Sequence, residues 1–423
     1  MTKKKLLYVV LYLILLNGFI QTYLIKSEFI PVIADVLVFY VAFTVRNNLS
    51  AVTRVVGSFV VTSYVLLLVG STGVAFVNGM PIPATLWGLR MVLRYLLLFM
   101  MVYKYFDADD IAKYKRIIFK FFWINTALVA FQYFVEGKVG DFIGGIFSGN
   151  GGQFLFNLFV TFLMSKEYFT GHLKKSRFLW LVAIEMFIAM VAEIKMMYFT
   201  IPLAIYAVYV LTKKFSVKHI IILAVAFFCL VPTMKAVMSL MYDDNYVNKT
   251  FDIDAIEEET SHDYNLSEEA RGLSFNRSTC IEKTSAFILC DPGHLMFGYG
   301  IGSANTSATF GTWIRAKYSL TTSYNWFTPS WLLIEYGWIG FVIWILILFG
   351  IAWRFFSIFR RSRDEVVKYW SSLGTVSAMF TYLLAWYNNL PYFNAYFIYL
   401  FWAVCFTAVS IRQKALRSGS YGM

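Results

Sequence analysis

The sequence predicts an all-α polytopic membrane protein of about twelve transmembrane helices with one large extracytoplasmic loop. Three observations predict it. Of 423 residues, 59% are hydrophobic and only 15% charged, whereas soluble domains carry roughly a quarter charged residues. The apolar residues fall in runs long enough to cross a bilayer core of about 30 Å. The net charge of +12 is spread over short clusters between those runs, which is the pattern of membrane topology and not of a nucleic-acid-binding face.

Taken in order, Lys3, Lys4 and Lys5 precede an apolar run over 6–25 with no small-residue cleavage site after it, which reads as an uncleaved signal anchor. Further spans are expected near 29–44, 55–77, 87–103, 117–136, 153–168, 178–193, 197–212, 219–236, 329–352, 369–387 and 393–411. The basic residues test this count. Arg46 and Arg54, Lys113 to Arg116, Lys174 to Arg177, Lys213 to Lys218, Arg360 to Lys368 and Arg412 to Arg417 all follow even-numbered spans. The positive-inside rule therefore makes those connections, and both termini, cytoplasmic. Residues 1–236 form a membrane domain of nine spans, 237–328 an extracytoplasmic loop or lid, 329–412 a second membrane domain of three spans and 413–423 a cytoplasmic tail. The loop holds twelve acidic residues against six Lys and Arg. No internal repeat is visible, which counts against transporter folds built from paired halves.

Ionisable residues at membrane depth are costly and mark cavities or partners. Arg90 and Arg94 open the fourth span at i,i+4 spacing, on one helix face near the outer surface. They suit either snorkelling to headgroups or bidentate capture of a diphosphate. Glu193 and Lys195 mark the outer turn between spans seven and eight, while Asp35 and Glu185 lie within spans and read equally well as structural. The loop adds Arg271, Arg277 and Arg315, and the Gly298-Tyr299-Gly300-Ile301-Gly302-Ser303 turn. That turn lacks the βαβ surroundings of a dinucleotide fingerprint. Cys280 and Cys290 share the loop and could form a disulfide if it lies outside the cytoplasm, whereas on one straight helix their Cα atoms would stand roughly 15 Å apart, too far to bridge. The four histidines are scattered, so neither a metal centre nor a cofactor is expected.

Four local patterns together resemble the O-antigen polymerase and O-antigen ligase superfamily of bacterial envelope glycosyltransferases. They are GGIFSGNGGQFLFNLF after span five, AEIKMMYFTIPL between spans seven and eight, Arg277 some way before Pro292 and FGYGIGS, and YNWFTPSWLLIEYGWIG from Tyr324 to Gly340. The order of the patterns, and one large loop late in the chain, are similar as well. The resemblance implies a GT-C-like fold in the bacterial cytoplasmic membrane. Its implied substrate is an oligosaccharide on a polyprenyl diphosphate, and its implied partners are membrane lipid and a flippase and chain-length regulator of the same pathway, with no nucleic acid.

The implied reaction is attack by a sugar hydroxyl of one lipid-linked repeat unit on the anomeric carbon of another chain, building capsule or O-antigen polysaccharide. Arginines at the membrane surface would stabilise the leaving diphosphate without a metal. This assigns Arg277 with Arg90 and Arg94, holds Lys195, Arg271, Arg315 and Asn325 as further binding residues, and offers Glu193 or Glu335 to activate the acceptor. Ligases of the superfamily carry histidine where this chain has Tyr324. That substitution favours polymerase over ligase-type transfer to a lipid or protein acceptor, and tyrosine, with a pKa near 10, is a poor base. The rival from another class is a lipid-linked oligosaccharide flippase or transporter.

Overall fold

The computed structural model describes residues 2–25, 30–43, 49–147, 149–213, 275–307, 309–393 and 395–418, with isolated residues between 221 and 239. The expected ninth span, the acidic part of the loop and Arg271 lie outside the described residues.

Among the described residues, nine helices come first: α1 (Lys3–Phe19, continued by a π turn to Leu24), α2 (Ile30–Phe43), α3 (Leu49–Val56), α4 (Ser58–Val77), α5 (Ile82–Tyr105), α6 (Ala108–Phe134), α7 (Asn150–Phe169), α8 (Lys175–Val191) and α9 (Lys195–Thr212). The loop segment contributes α10 (Cys280–Lys283), α11 (Pro292–Phe297) and α12 (Trp313–Thr322). The chain then closes with α13 (Thr328–Arg361), α14 (Glu365–Tyr387), α15 (Leu390–Phe393) and α16 (Tyr396–Arg417). No strand occurs among the described residues. Among the described residues, seven helices are long and apolar enough to cross a membrane: α1 with its π turn, α4, α5, α6, α9, α13 and α16. The expected run 55–77 is broken at Gly57, whose φ of +108° separates α3 from α4. The carbonyls that end α3 are then capped from another helix, by Arg354 donating to Val55 O at 2.8 Å and Arg54 O at 3.0 Å.

Short connections make successive helices antiparallel, so the bundle has a basic end and an end that carries the 275–327 segment, here the loop end. The densest packing is α13 on α14 and α4, α16 on α14 and α5, and α7 on α9. At the basic end, Asp364 caps α14 through the Val366 and Val367 N–H groups, both at 3.0 Å, and receives Arg412 of α16 at 2.8 Å. Lys115 of α6 and Tyr369 of α14 both donate to Glu167 of α7 at 2.5 Å. These polar clasps fix the order of helices whose apolar faces alone would pack almost interchangeably.

Candidate functional site

The link between α14 and α16, residues 387–396, organises the loop end. It is turned by Asn388, whose carbonyl accepts from the Thr328 hydroxyl at 2.6 Å and whose side chain accepts from Leu390 N–H at 3.0 Å. Every candidate cluster but one touches this link. Sequence reasoning passed over it, although an Asn-Asn pair followed by Leu-Pro between two apolar spans was the available signal.

On one side of the link stands a buried charge cluster. Asp35 of α2, only 1% exposed, accepts from Arg90, from Arg94 at 3.2 Å, and from the Tyr396 hydroxyl. Arg94 also donates to the Tyr95 hydroxyl at 2.6 Å and to Phe393 O at 2.8 Å. Two guanidiniums share one carboxylate, so the cluster keeps a surplus positive charge. The two arginines differ in reach: the Arg94 side chain is 7% exposed, whereas Arg90 is 19% exposed and lies over the Trp87 ring at 3.5 Å. Arg90 is the one a ligand can approach.

Beyond the link stands Arg277. Asn276 sets it in place, its side-chain oxygen accepting from Ser278 N–H at 3.1 Å and Thr279 N–H at 2.8 Å, while Phe275 N–H donates to Thr322 O at 2.9 Å. Arg277 Nε donates to Tyr387 O at 3.1 Å and its guanidinium stacks on the Tyr387 ring at 4.6 Å. That bond engages Nε and leaves the two Nη groups, on a half-buried side chain, without a partner among the described residues. Asn325 is held on the same link: its carbonyl accepts from Asn389 at 2.7 Å and Trp331 Nε1 at 3.0 Å, and its side-chain oxygen is unpartnered among the described residues.

The glycine turn is a wedge. Gly298, Gly300 and Gly302 all have positive φ, and a Cβ at Gly302 would stand 2.1 Å from Ala84 O. Its N–H groups are spent within the fold: Tyr299 on Ile334 O at 2.8 Å, Gly300 on Glu335 O at 3.1 Å, Ile301 on Ser71 O at 3.2 Å and Gly302 on the Glu335 carboxylate at 3.0 Å. None is left to cradle an anion. The second Glu335 oxygen accepts from the Tyr392 hydroxyl, which also meets the Tyr336 hydroxyl at 2.7 Å. Glu335 thus clamps the turn to α13 and to the link. α13 makes room by breaking its helical path at Gly337, φ +60°.

Tyr324 and Arg315 serve the same segment. The Tyr324 hydroxyl, fully buried, donates to Ala304 O at 2.9 Å, and burial pushes its pKa up. Arg315 folds back to donate to Ser307 O. Cys280 is buried, with its thiol pushed up to about 11 by burial, and Cys290 is exposed; both are free thiols.

The remaining cluster is the outer turn before α9. Glu193 adopts a left-handed conformation, φ +51°, its carboxylate lies against Gly140, and its carbonyl accepts from Lys195 N–H at 3.0 Å. The glycine-rich turn after α6 reaches the link as well, through Gly151 against Leu390. Of the aromatic side chains that could meet a sugar, Trp313 and Trp326 are exposed and Trp331 is buried. Among the described residues no three His, Cys, Asp or Glu side chains come together to hold a metal.

Fold and site together define a multi-pass helical membrane protein with a cationic, amide-rich patch at one end. No family model and no curated protein matches the chain.

Proposed function

We propose that this protein is a glycosyltransferase that polymerises polyprenyl-diphosphate-linked oligosaccharide repeat units into capsule or O-antigen polysaccharide, at the outer face of the bacterial cytoplasmic membrane. In this reading the chain crosses the membrane twelve times, both termini are cytoplasmic and the loop end faces out. The observation that carries it is Arg277, fixed through Nε and stacking yet with both Nη groups unpartnered among the described residues. The surplus charge of the Asp35–Arg90–Arg94 cluster stands on the same link. Planar guanidiniums at a membrane surface match the paired oxygens of a lipid diphosphate.

In the proposed reaction an acceptor hydroxyl oxygen bonds to the anomeric carbon, the bond from that carbon to the diphosphate oxygen breaks, and the lipid diphosphate leaves with the electron pair. Arg277 and Arg90 stabilise the charge that grows on the leaving oxygens. The hydroxyl proton passes to a carboxylate. Glu335 is enclosed by Gly302 and Tyr392, and Tyr324 is committed to Ala304. Glu193, half-buried at the outer turn before α9, is assigned as that carboxylate in this reading, and Asn325 orients a sugar.

A second reading, a lipid-linked oligosaccharide flippase, is favoured by one observation: Glu185 is fully buried in the middle of α8. Purified protein in nanodiscs, given lipid-linked repeat units, separates the possibilities. A ladder of products is expected. Transfer only to an added lipid or protein acceptor would make it a ligase, and translocation in liposomes without a new glycosidic bond would make it a transporter.

A further inference from the structure

Away from this patch, α7 carries Gln153, Asn157, Thr161 and Ser165, four residues apart and so on one face of the helix. All four are fully buried. Gln153 stands near Asn125 of α6 and Thr161 meets Glu185 of α8, both also fully buried. The top of the stripe meets the glycine-rich turn. A Cβ at Gly145 would be 2.1 Å from the Asn125 side-chain oxygen and 2.8 Å from that of Gln153. The middle meets α8, where the Thr161 hydroxyl donates to Glu185 Oε2 at 2.7 Å.

The partners do not satisfy the groups. Both amide atoms of Gln153, both of Asn157, Asn125 Nδ2, Ser165 Oγ and Glu185 Oε1 have none among the described residues. Buried polar atoms in native proteins are nearly always paired with protein, water or an ion. Glu185 also lacks a counter-charge, for no ion pair among the described residues includes it and Thr161 is its one hydrogen-bond donor there. An isolated carboxylate in a membrane interior is costly, and it takes a cation or a proton.

We propose that this layer between α6, α7 and α8 binds one monovalent alkali cation, with Glu185 as its anionic ligand. Thr161 and the side-chain oxygen of Asn157, one turn away, are its neutral ligands; Gln153 stands about 12 Å along the helix from Thr161, above the ion. Amide, hydroxyl and carboxylate oxygens are hard donors suited to such an ion. One carboxylate balances one positive charge, and a divalent ion would leave a net charge in low dielectric. The unpartnered amide N–H groups of Asn125 and Gln153 donate to waters that complete the shell and lead to the glycine-rich turn at the loop end. The site is independent of the glycosyltransferase reading.

The test is thermal melting of the purified protein in nanodiscs in sodium, potassium or N-methyl-D-glucamine chloride at equal ionic strength. Sodium or potassium is expected to raise the Tm by several degrees, saturably, above the organic cation. Glu185→Gln and Asn157→Leu should abolish that shift. Radiolabelled sodium binding to the wild-type protein, competed by unlabelled sodium or potassium, gives a second readout if the variants do not fold. Equal melting in all three salts with no saturable binding would overturn the proposal and leave a carboxyl that simply keeps its proton. Persistence of the shift in Glu185→Gln would overturn it too.

Discussion

Asp35 holds two arginines in a place where neither could stand alone. Removing it leaves the buried Arg94 guanidinium without its counter-charge, which costs about 3–5 kcal/mol where such a pair is broken from one side. Asp35→Ala is therefore expected to lose stability of that order in thermal melting of the purified protein, and a loss under about 1 kcal/mol would contradict the cluster. A milder ionic contact sits at the basic end. Hydrogen bonding from Lys4 at 2.6 Å, and from Asp110 N–H at 3.0 Å, holds the Asp107 carboxyl down to about 2. A carboxyl depressed in the folded state stabilises above its ordinary value near 4, and that contribution is lost as pH falls from about 4 to 2. The melting advantage of wild type over Asp107→Asn should shrink across that window and be constant above it. At this scale the sequence was informative where spacing sets geometry, as for Arg90 and Arg94 on one face. It was silent on partners far along the chain. Asp35 meets Tyr396 only after folding, and nothing local distinguishes Tyr324 as a loop anchor from an exposed tyrosine.

The glycine turn and the link show what an element adds to its residues. A glycine-rich stretch such as 298–303 suits an anion cradle or a shaped turn equally; the structure spends its N–H groups on α4, α13 and Glu335. Gly302→Ala must place a Cβ 2.1 Å from Ala84 O at φ +84°. Left-handed strain and overpacking together predict a loss of roughly 2–4 kcal/mol. Gly73→Ala in α4, where a Cβ would meet nothing within 4 Å, should melt within about 1 kcal/mol of wild type. Similar melting of the two variants would mean that the turn is not wedged. The link 387–396 was less legible because its importance lies in what arrives there. Tyr387, Asn389, Tyr392 and Phe393 receive groups from positions as distant as Arg94 and Arg277. Periodicity reads an element's own face and not its visitors.

At the scale of the molecule, apolar runs located the helices of the described residues well because hydrocarbon demands helical backbone throughout. The boundaries moved where charged ends extend a helix past its apolar stretch, as α13 does to Arg361 and α6 from Ala108. The proposed topology makes a direct prediction through Cys290, which is exposed, while Cys280 and Cys405 are buried. A membrane-impermeant maleimide should label intact cells, and Cys290→Ser should remove the signal. Labelling of Cys290 only after permeabilisation would put the loop end inside. The central claim, that Arg277 stabilises a leaving lipid diphosphate, is tested most directly by the rate of product-ladder formation from purified lipid-linked repeat units. Arg277→Ala is expected to slow it by on the order of a hundredfold or more, as removal of a transition-state donor does, with melting unchanged. A wild-type ladder from Arg277→Ala, in rate and length, would contradict the account.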